Sequence, residues 1–440
     1  MERTLIGELG RSAGKSVTVA GWVDVRRDHG KIVFLDIRDR TGKIQTVCLS
    51  NHAGVVETAQ TLRPESVVEV SGMLHERPEK MRVDGPNGTI ELEATHITVL
   101  SLAQELPFEK DTEVNLDTLF DYRPLTLRSE RSRIIFAVQA TIVDAYRASL
   151  IRQGFTEFQS PALVGGDAEG GAAVFKVDYF NDRTAFLATS PQLYKQIMVG
   201  AMERAFTVAK IFRAEKSATT RHLSEATCVD FEMGFVRSER DVMSVLETAI
   251  RDVVAAVEKK HGDDFKKLGV ELPKVGEAFP ILTLREAHET LGVEPADDME
   301  PEHERNICEW ARKEKGSDFV FITRFPTKAR AFYTMAEDKT LSRGFDLLFK
   351  GLEINSGAQR IHDYDELVAR IRERGLDPDK FSFYLQAFKY GIPPHGGCST
   401  GIERFTARML DVANVKEATA FPRDMNRIDL RLAEGDEHAD

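Results

Sequence analysis

Cysteine is scarce in this sequence, with four residues among 440. Cys48, Cys228, Cys308 and Cys398 lie far apart and form no C-x-x-C pair, which argues against a zinc site and against a disulfide framework. Long apolar runs are missing too. No stretch approaches the roughly 20 residues that span a bilayer, and Met1-Glu2-Arg3-Thr4 opens no apolar leader. A cytoplasmic protein with no membrane partner is therefore expected. The sequence also lacks an excess of basic residues. A net charge of −12 disfavours a general nucleic-acid binder, although a local basic patch can still bind one. No internal repeat is visible. What remains, 42% apolar and 30% charged residues, suits a soluble globular chain of two or three domains.

Residues 17–100 read as short strands: Val17–Val23, Ile32–Ile37, Ile44–Leu49, Val67–Leu74 and Thr89–Glu93, with one helical connection near 53–63. That pattern predicts a small barrel of the OB type over 1–102. Residues 103–130, with Pro107 and Pro124 and weak periodicity, read as a linker. From Ser129 the pattern turns helical, with Ile134, Ile135, Val138, Ile142 and Tyr146 on one face. A second amphipathic helix spans 240–260. The segments 205–213, 227–236, 345–356 and 396–401 read as strands. The fold class is thus α+β: an N-terminal barrel, then an antiparallel sheet flanked by helices over 131–432, with a loose acidic tail at 433–440.

Gly10-Arg11-Ser12-Ala13-Gly14-Lys15-Ser16 looks like a phosphate loop. It is one residue short between its glycines and precedes a strand instead of joining strand to helix, so a turn is the better reading. The densest chemistry is Phe212-Arg213-Ala214-Glu215, a polar loop, then Arg221-His222-Leu223. Two arginines and a histidine around one loop suit a polyphosphate. Arg213 and Glu215, two apart on a strand, should face the same way. The next strand puts Cys228, Asp230 and Glu232 on one face and Val229, Phe231, Met233 and Phe235 on the other. Charges on one face of a buried sheet need a ligand or an ion-pair network.

The stretch Phe212 to Leu223 resembles the second signature motif of class II aminoacyl-tRNA synthetases. Gly401-Ile402-Glu403-Arg404 resembles the third, and Gly154-Phe155-Thr156-Glu157-Phe158-Gln159-Ser160-Pro161 the first. The resemblance covers residues 2–430, nearly the whole chain. Four segments look like those of the aspartyl members. Ser190-Pro191-Gln192-Leu193-Tyr194-Lys195-Gln196 implies that Lys195 meets the aspartate side chain. Asn355 to His362 implies Arg360 as a second cation for it. Ala168-Glu169-Gly170-Gly171 is similar to the mobile loop whose glutamate senses the α-amino group. Phe345 to Ile354 is similar to the strand pair carrying the magnesium-binding acid, here Glu353 with Ser356 nearby. The resemblance implies an enzyme that activates L-aspartate with ATP and loads it onto tRNA-Asp, with tRNA-Asn left open. It also implies a homodimer built on the first motif. Its aspartate site would be Glu169, Gln192, Leu193, Tyr194, Lys195, Arg213, Ser356 and Arg360. Its ATP site would be Arg213, Ala214, Glu215, Arg221, His222, Leu223, Glu353 and Gly401 to Arg404, with Arg213, Glu353 and Arg404 catalytic. The charge logic agrees: a bound dicarboxylate needs two cations for its side chain and one for its α-carboxylate, and asparagine would leave two buried cations unpaired.

Gly21-Trp22-Val23 to Arg26-Arg27-Asp28-His29-Gly30, and Phe34 to Gln45, are similar to the anticodon-binding OB domain of this family. There the aromatic at Phe34 stacks on an anticodon base and Gln45 hydrogen-bonds one, with Arg27 and His29 alongside. Alternation alone does not say whether Phe34 points out or into the barrel. Asp24, His29 and the 77–88 loop are candidate readers of the last anticodon base. This sequence departs from the family in Gly397-Cys398-Ser399-Thr400-Gly401, where more glycine is usual, and in Lys216-Ser217-Ala218 and Gly170-Gly171-Ala172-Ala173-Val174. It also has Ala226 where an adenine-stacking phenylalanine is common. An asparaginyl-tRNA synthetase and a tRNA-independent paralogue that makes asparagine stay open as alternatives.

Overall fold

A computed structural model describes residues 2–166, 173–216 and 219–432. The chain divides into two compact units, Met1–Glu113 and Val114–Asp440, each with its own core.

In the first unit β1 (Ser16–Asp28), β2 (Ile32–Arg38), β3 (Lys43–Leu49), β4 (Val67–Glu76) and β5 (Ile90–Ser101) close a barrel in the order β1-β2-β3-β5-β4. The helix α1 (Val55–Thr61) supplies the connection between β3 and β4. Alternation puts Val17, Val19, Val33, Leu35, Ile37 and Leu92 inside. Gly21 lets the barrel close: a Cβ there would lie 2.1 Å from the Arg38 carbonyl oxygen. Residues Ile6–Arg11 form a 3-10 turn that leads through Gly14 into β1, and no helix follows, so the phosphate-loop context is missing.

One face of this unit buries a charge cluster. Arg38, 4% exposed, donates to Asp24 at 3.0 Å and to Glu65. Lys43 reaches Asp24 at 3.0 Å, and Lys110 joins both acids. Burial alone would raise the Asp24 carboxyl, but Lys110 and Lys43 together hold it down at about 2. Asp24 is thus part of the wall, buried and bound to three cations, and does not face outward to read a base as expected.

The second unit is built on an eight-stranded sheet. Its strands are β6 (Thr156–Glu157), β10 (Arg204–Phe212), β11 (Glu225–Gly234), β12 (Ile281–Thr283), β13 (Phe319–Thr323), β14 (Gly344–Phe349), β15 (Leu352–Gln359) and β16 (His395–Gly401). Their order is β12-β13-β14-β15-β16-β11-β10-β6, with only the β12–β13 and β6–β10 pairs parallel. The strands β7 (Leu163–Val164), β8 (Lys176–Tyr179) and β9 (Arg183–Leu187) form a small separate sheet. The stretch expected as a linker carries two short helices, α2 (Leu116–Asp121) and α3 (Arg123–Thr126). Arg123 is buried and donates to the Thr419 and Ala420 carbonyls, which ties it to this unit.

The long helices are α4 (Glu130–Arg152) and α6 (Glu239–Leu268). Ser129 caps α4 by accepting from the Ser132 N–H, and Ser238 with Asp241 forms a capping box on α6. The α4 helix is long and apolar enough to cross a membrane, but its Ile134, Val138 and Ile142 face is spent on the core shared with α6. Around the sheet lie α5 (Gln192–Met202), α7 (Leu284–Leu291), α8 (Pro301–Lys315), α9 (Tyr364–Glu373), α10 (Ser382–Lys389) and α11 (Ile402–Met409). All four cysteines are free and buried, and burial pushes the Cys48, Cys308 and Cys398 thiols up to about 12, so they are idle.

Asp24→Ala should destabilise the first unit by about 3–5 kcal/mol, because it leaves buried cations without their carboxylate; urea unfolding of the variant measures this. Because the folded carboxyl titrates near 2, below its ordinary value, its contribution is complete above about pH 4 and fades as pH falls towards 2.

Candidate active site

The period-two alternation of β11 sorts its side chains. Val229, Phe231 and Met233 enter the core beneath α4 and α6, whereas Phe235, expected with them, lies past the strand's end at Gly234 with φ +58 and is exposed. Asp230 and Glu232 emerge on the other face, where both are fully buried. Register sets a polar row across four strands: Asp346 pairs with Ser356, Ser356 with Ser399, and Ser399 with Asp230. The next row is made small by Ala358 and Gly397, with Gly397 paired to Glu232 and Ala358 on its far side.

Lys195 projects from α5 into this face and is fully buried. It donates to Asp230 at 2.6 Å and to the Cys398 carbonyl at 3.0 Å, and lies 3.5 Å from Glu232. Arg360, 4% exposed, donates to Glu232 at 2.9 Å and to the Gly397 carbonyl at 2.8 Å. Burial opposes the Arg360 charge, and Glu232 together with Tyr333 and Cys398 more than offsets it. Two cations therefore meet two carboxylates. The expectation that asparagine would leave both cations unpaired does not hold, because Asp230 and Glu232 already compensate them.

A relay of neutral groups completes the pocket wall. Arg360 reaches Gln192 at 3.4 Å, and Gln192 and the Tyr384 hydroxyl both donate to Gln196. Gln196 donates to His395 Nε2, and His395 Nδ1 faces the Pro393 carbonyl at 2.9 Å. Burial pushes His395 down to about 4, so it is neutral and one ring nitrogen can accept. Gln196 and His395 were not singled out by the sequence; the spacing of Gln192 and Gln196, one turn apart, was the available signal. Leu193 and Tyr194 face another way and line a separate open cavity of about 780 Å³ with Phe381 and Tyr384.

Beside this buried layer opens a cleft of about 230 Å³, joined to it through Ser399, which donates to Asp230 at 2.8 Å. It gathers Arg213, Arg221, His222, Leu223, Glu353, Ser356, Gly401, Glu403 and Arg404. The β10 strand ends at Phe212, although the Arg213 N–H still donates to the Ser224 carbonyl at 2.9 Å, and Arg213 and Glu215 both act electrostatically on His222. Ala214 and Glu215 line a neighbouring cavity with Phe175 and Arg423. Ile402 belongs to the core, and Glu403 is spent on the Thr227 backbone N–H at 2.9 Å, where it anchors α11 to β11. Arg404 donates to the Glu353 carbonyl at 3.2 Å. The wall where a stacking aromatic was noted as absent is aliphatic, with Ile211, Ala226 and Val415. Glu169 and the loop departures at 170–172 and 217–218 lie outside the described residues.

Burial, then Asp346, push the Glu353 carboxyl up to about 7. Asp346 itself is held by Arg330 at 2.6 and 2.9 Å, and Arg330 also donates to Ser356 at 3.1 Å. Neither Asp346 nor Arg330 was picked out from the sequence. His222 is pushed down by burial and by Arg404, which favours its neutral form.

In the first unit Arg27, His29, Phe34 and Gln45 converge on one outer face. Phe34 alternates away from the buried Val33 and Leu35 and stands edge-on to His29 at 5.8 Å. Arg27 pairs with Asp36 at 2.9 Å and reaches Gln45 at 3.4 Å.

Residues 115–425 match the model of the class II tRNA synthetases (D, K and N), and residues 17–100 match that of the OB-fold nucleic acid binding domain. The chain belongs to the class II tRNA synthetases. This synthetase is 42% identical to a Thermus thermophilus protein named aspartate–tRNA(Asp/Asn) ligase, over 97% of this chain and 99% of that one. It is 39% identical to a Pyrococcus abyssi aspartate–tRNA(Asp) ligase, over 94% and 96%. Its structure superposes with a TM-score of 0.90 on the asparaginyl-tRNA synthetase of Pyrococcus horikoshii complexed with asparaginyl-adenylate, at 31% identity over 97% and 99% of the two chains. An aspartyl tRNA synthetase from Entamoeba histolytica gives 0.85 at 29% identity, over 97% and 93%.

The synthetase depends on a bare Gly397. A Cβ there would sit 2.3 Å from Glu232 Oε2 and 2.1 Å from the Phe231 carbonyl. Gly397→Ala should displace Glu232 and Arg360 together and lower amino-acid-dependent pyrophosphate exchange by more than tenfold, an effect of about 1.4 kcal/mol or more.

Proposed function

We propose that this synthetase activates L-aspartate with ATP and transfers it to tRNA-Asp. The observation that carries the reading is about 40% identity across almost the full chain to proteins named aspartate–tRNA ligases. The buried Lys195 and Arg360 support it. Both are donors only, so they suit a carboxylate and offer nothing to an amide NH₂. With two acids already opposite them, selection rests on donor direction and fit more than on bare charge.

The α-carboxylate of aspartate attacks the α-phosphate in line and pyrophosphate leaves. A carboxylate is already a nucleophile, so the site supplies position and charge and needs no base. Arg213 bridges the carboxylate and the α-phosphate. Arg221, His222 and Arg404 hold the outer phosphates, Glu215 accepts the adenine amino group, and Glu169 senses the α-amino group. Among the described residues no group of three or more His, Cys, Asp or Glu could hold a metal. Glu353 and Ser356 offer hard oxygen donors that fit a magnesium ion and would hold it. Such an ion, when bound, neutralises phosphate charge. The terminal ribose hydroxyl of tRNA then attacks the aspartyl-adenylate. Phe34, Gln45, Arg27 and His29 form the anticodon platform, and the Gly154–Pro161 segment forms the interface of a homodimer.

The structural likeness to an asparaginyl enzyme keeps asparagine as the second reading. Charging purified tRNA-Asp and tRNA-Asn with each amino acid separates them. Aspartate on tRNA-Asp alone makes the enzyme strict, and aspartate on both makes it relaxed. Asparagine charging without aspartate charging would sink the proposal. Lys195→Met should raise the aspartate KM at least tenfold, the cost expected when a charged hydrogen bond is lost, and leave the ATP KM within about twofold. Phe34→Ala should spare aspartate-dependent pyrophosphate exchange and lower tRNA charging by about tenfold, in line with one lost stacking contact.

A further inference from the structure

The α8 helix buries Ile307, Cys308 and Ala311 against Val320, Ile322 and Leu348. Glu304 lies one turn earlier on the same stripe, so the helix carries a carboxylate inward, 9% exposed. Burial raises its carboxyl and Arg221 pulls it back. A charge in that position needs a partner. Arg221 provides it: its Nη1 donates to Glu304 Oε2 at 2.7 Å and its Nη2 to the Gly351 carbonyl at 3.3 Å. Gly351 sits in the β14–β15 turn with φ +77, directly under α8, where a Cβ would meet Arg305 Cγ at 2.7 Å. Arg221 is thereby fixed at two points, one on α8 and one on the turn that leads into Glu353.

We propose that Glu304 is a positioning residue that holds Arg221 in the orientation that receives the outer phosphates of ATP. The proposal rests on the phosphate role given to Arg221 above. A guanidinium has five N–H donors in a rigid fork. The two bonds use one N–H of Nη1 and one of Nη2, which leaves three of the five donors, and Arg221 still forms the cleft wall with His222, Glu353 and Arg404. Glu304 therefore holds the arginine from behind without taking the phosphate's place. Left alone, a flexible arginine beside a polar cleft would have to be ordered by ATP at each binding event, which weakens binding.

Simple Coulomb reasoning gives the opposite sign. Removing an acid from the neighbourhood should strengthen binding of an anionic nucleotide. The two ideas separate in a thermodynamic cycle of Glu304→Gln, Arg221→Ala and the double variant, read by calorimetric titration of full-length enzyme with ATP and by pyrophosphate exchange. Positioning predicts that Glu304→Gln weakens ATP binding and raises the ATP KM about tenfold, the scale of one charged hydrogen bond. It leaves the aspartate KM within about twofold. The double variant should be no worse than Arg221→Ala alone. Glu304→Asp, which keeps the charge, should recover part of the loss. Unchanged or tighter ATP binding in Glu304→Gln, additive effects in the cycle, or equal shifts in both KM values would overturn it. If Glu304→Gln fails to fold, the same comparisons are made on Glu304→Asp. Wild-type exchange is measured first: absence of exchange with aspartate defeats the aspartate reading, while ATP titration still decides the role of Glu304.

Discussion

The second unit is organised around the neutrality of one buried layer. Lys195 and Arg360 are carried into the interior against Asp230 and Glu232, and the paired geometry offsets the cost of burying all four. That constraint dictates much around it. The Gly397 position must be bare for Glu232 to lie over it, Cys398 must turn its carbonyl to Lys195, and Ser399 must reach Asp230. The residues that departed from the glycine-rich family pattern are therefore used. Thr400 likewise accepts from Asn355 at 2.6 Å and bonds Tyr146 at 3.0 Å.

Charge alternation continues from this layer into the cleft. Arg330 faces Asp346, Arg404 lies near Glu353, and Arg221 faces Glu304. Each cation has an acid behind it. This arrangement keeps several arginines in place before a polyanion arrives, since like charges at close range would otherwise push them apart. It is a form of pre-organisation in which the ordering is done on folding and not on binding. The raised Glu353 carboxyl shows the converse: burial first, and then the neighbouring Asp346, make it hold its proton more tightly, while Arg404 and Arg330 only partly offset them.

Much of this was legible in the sequence because it is local. The barrel strands, the amphipathic faces of α4 and α6, and the sorting of β11 into core and polar sides follow from periods of 2 and 3.6. The α6 helix runs on to Leu268, past the expected 260, because its capping Gly269 and the buried His261 and Phe265 extend the same stripe. Arg213 and Glu215 lie just past the end of β10 at Phe212, where alternation no longer fixes which way a side chain points.

By itself the sequence determined the α+β class, the two-part organisation, and most of the side chains that gather in the cleft, because each motif packs its chemistry within a few residues. It did not determine which groups would oppose one another. Glu304 meets Arg221 across 83 positions, Arg360 meets Glu232 across 128, and Ser399 meets Asp230 across 169. The outward aim of Phe34 and the withdrawal of Asp24 into the barrel wall were also decided only by barrel closure. Pairing of buried charges depends on distances set by strand register and helix packing, and those are properties of the whole fold.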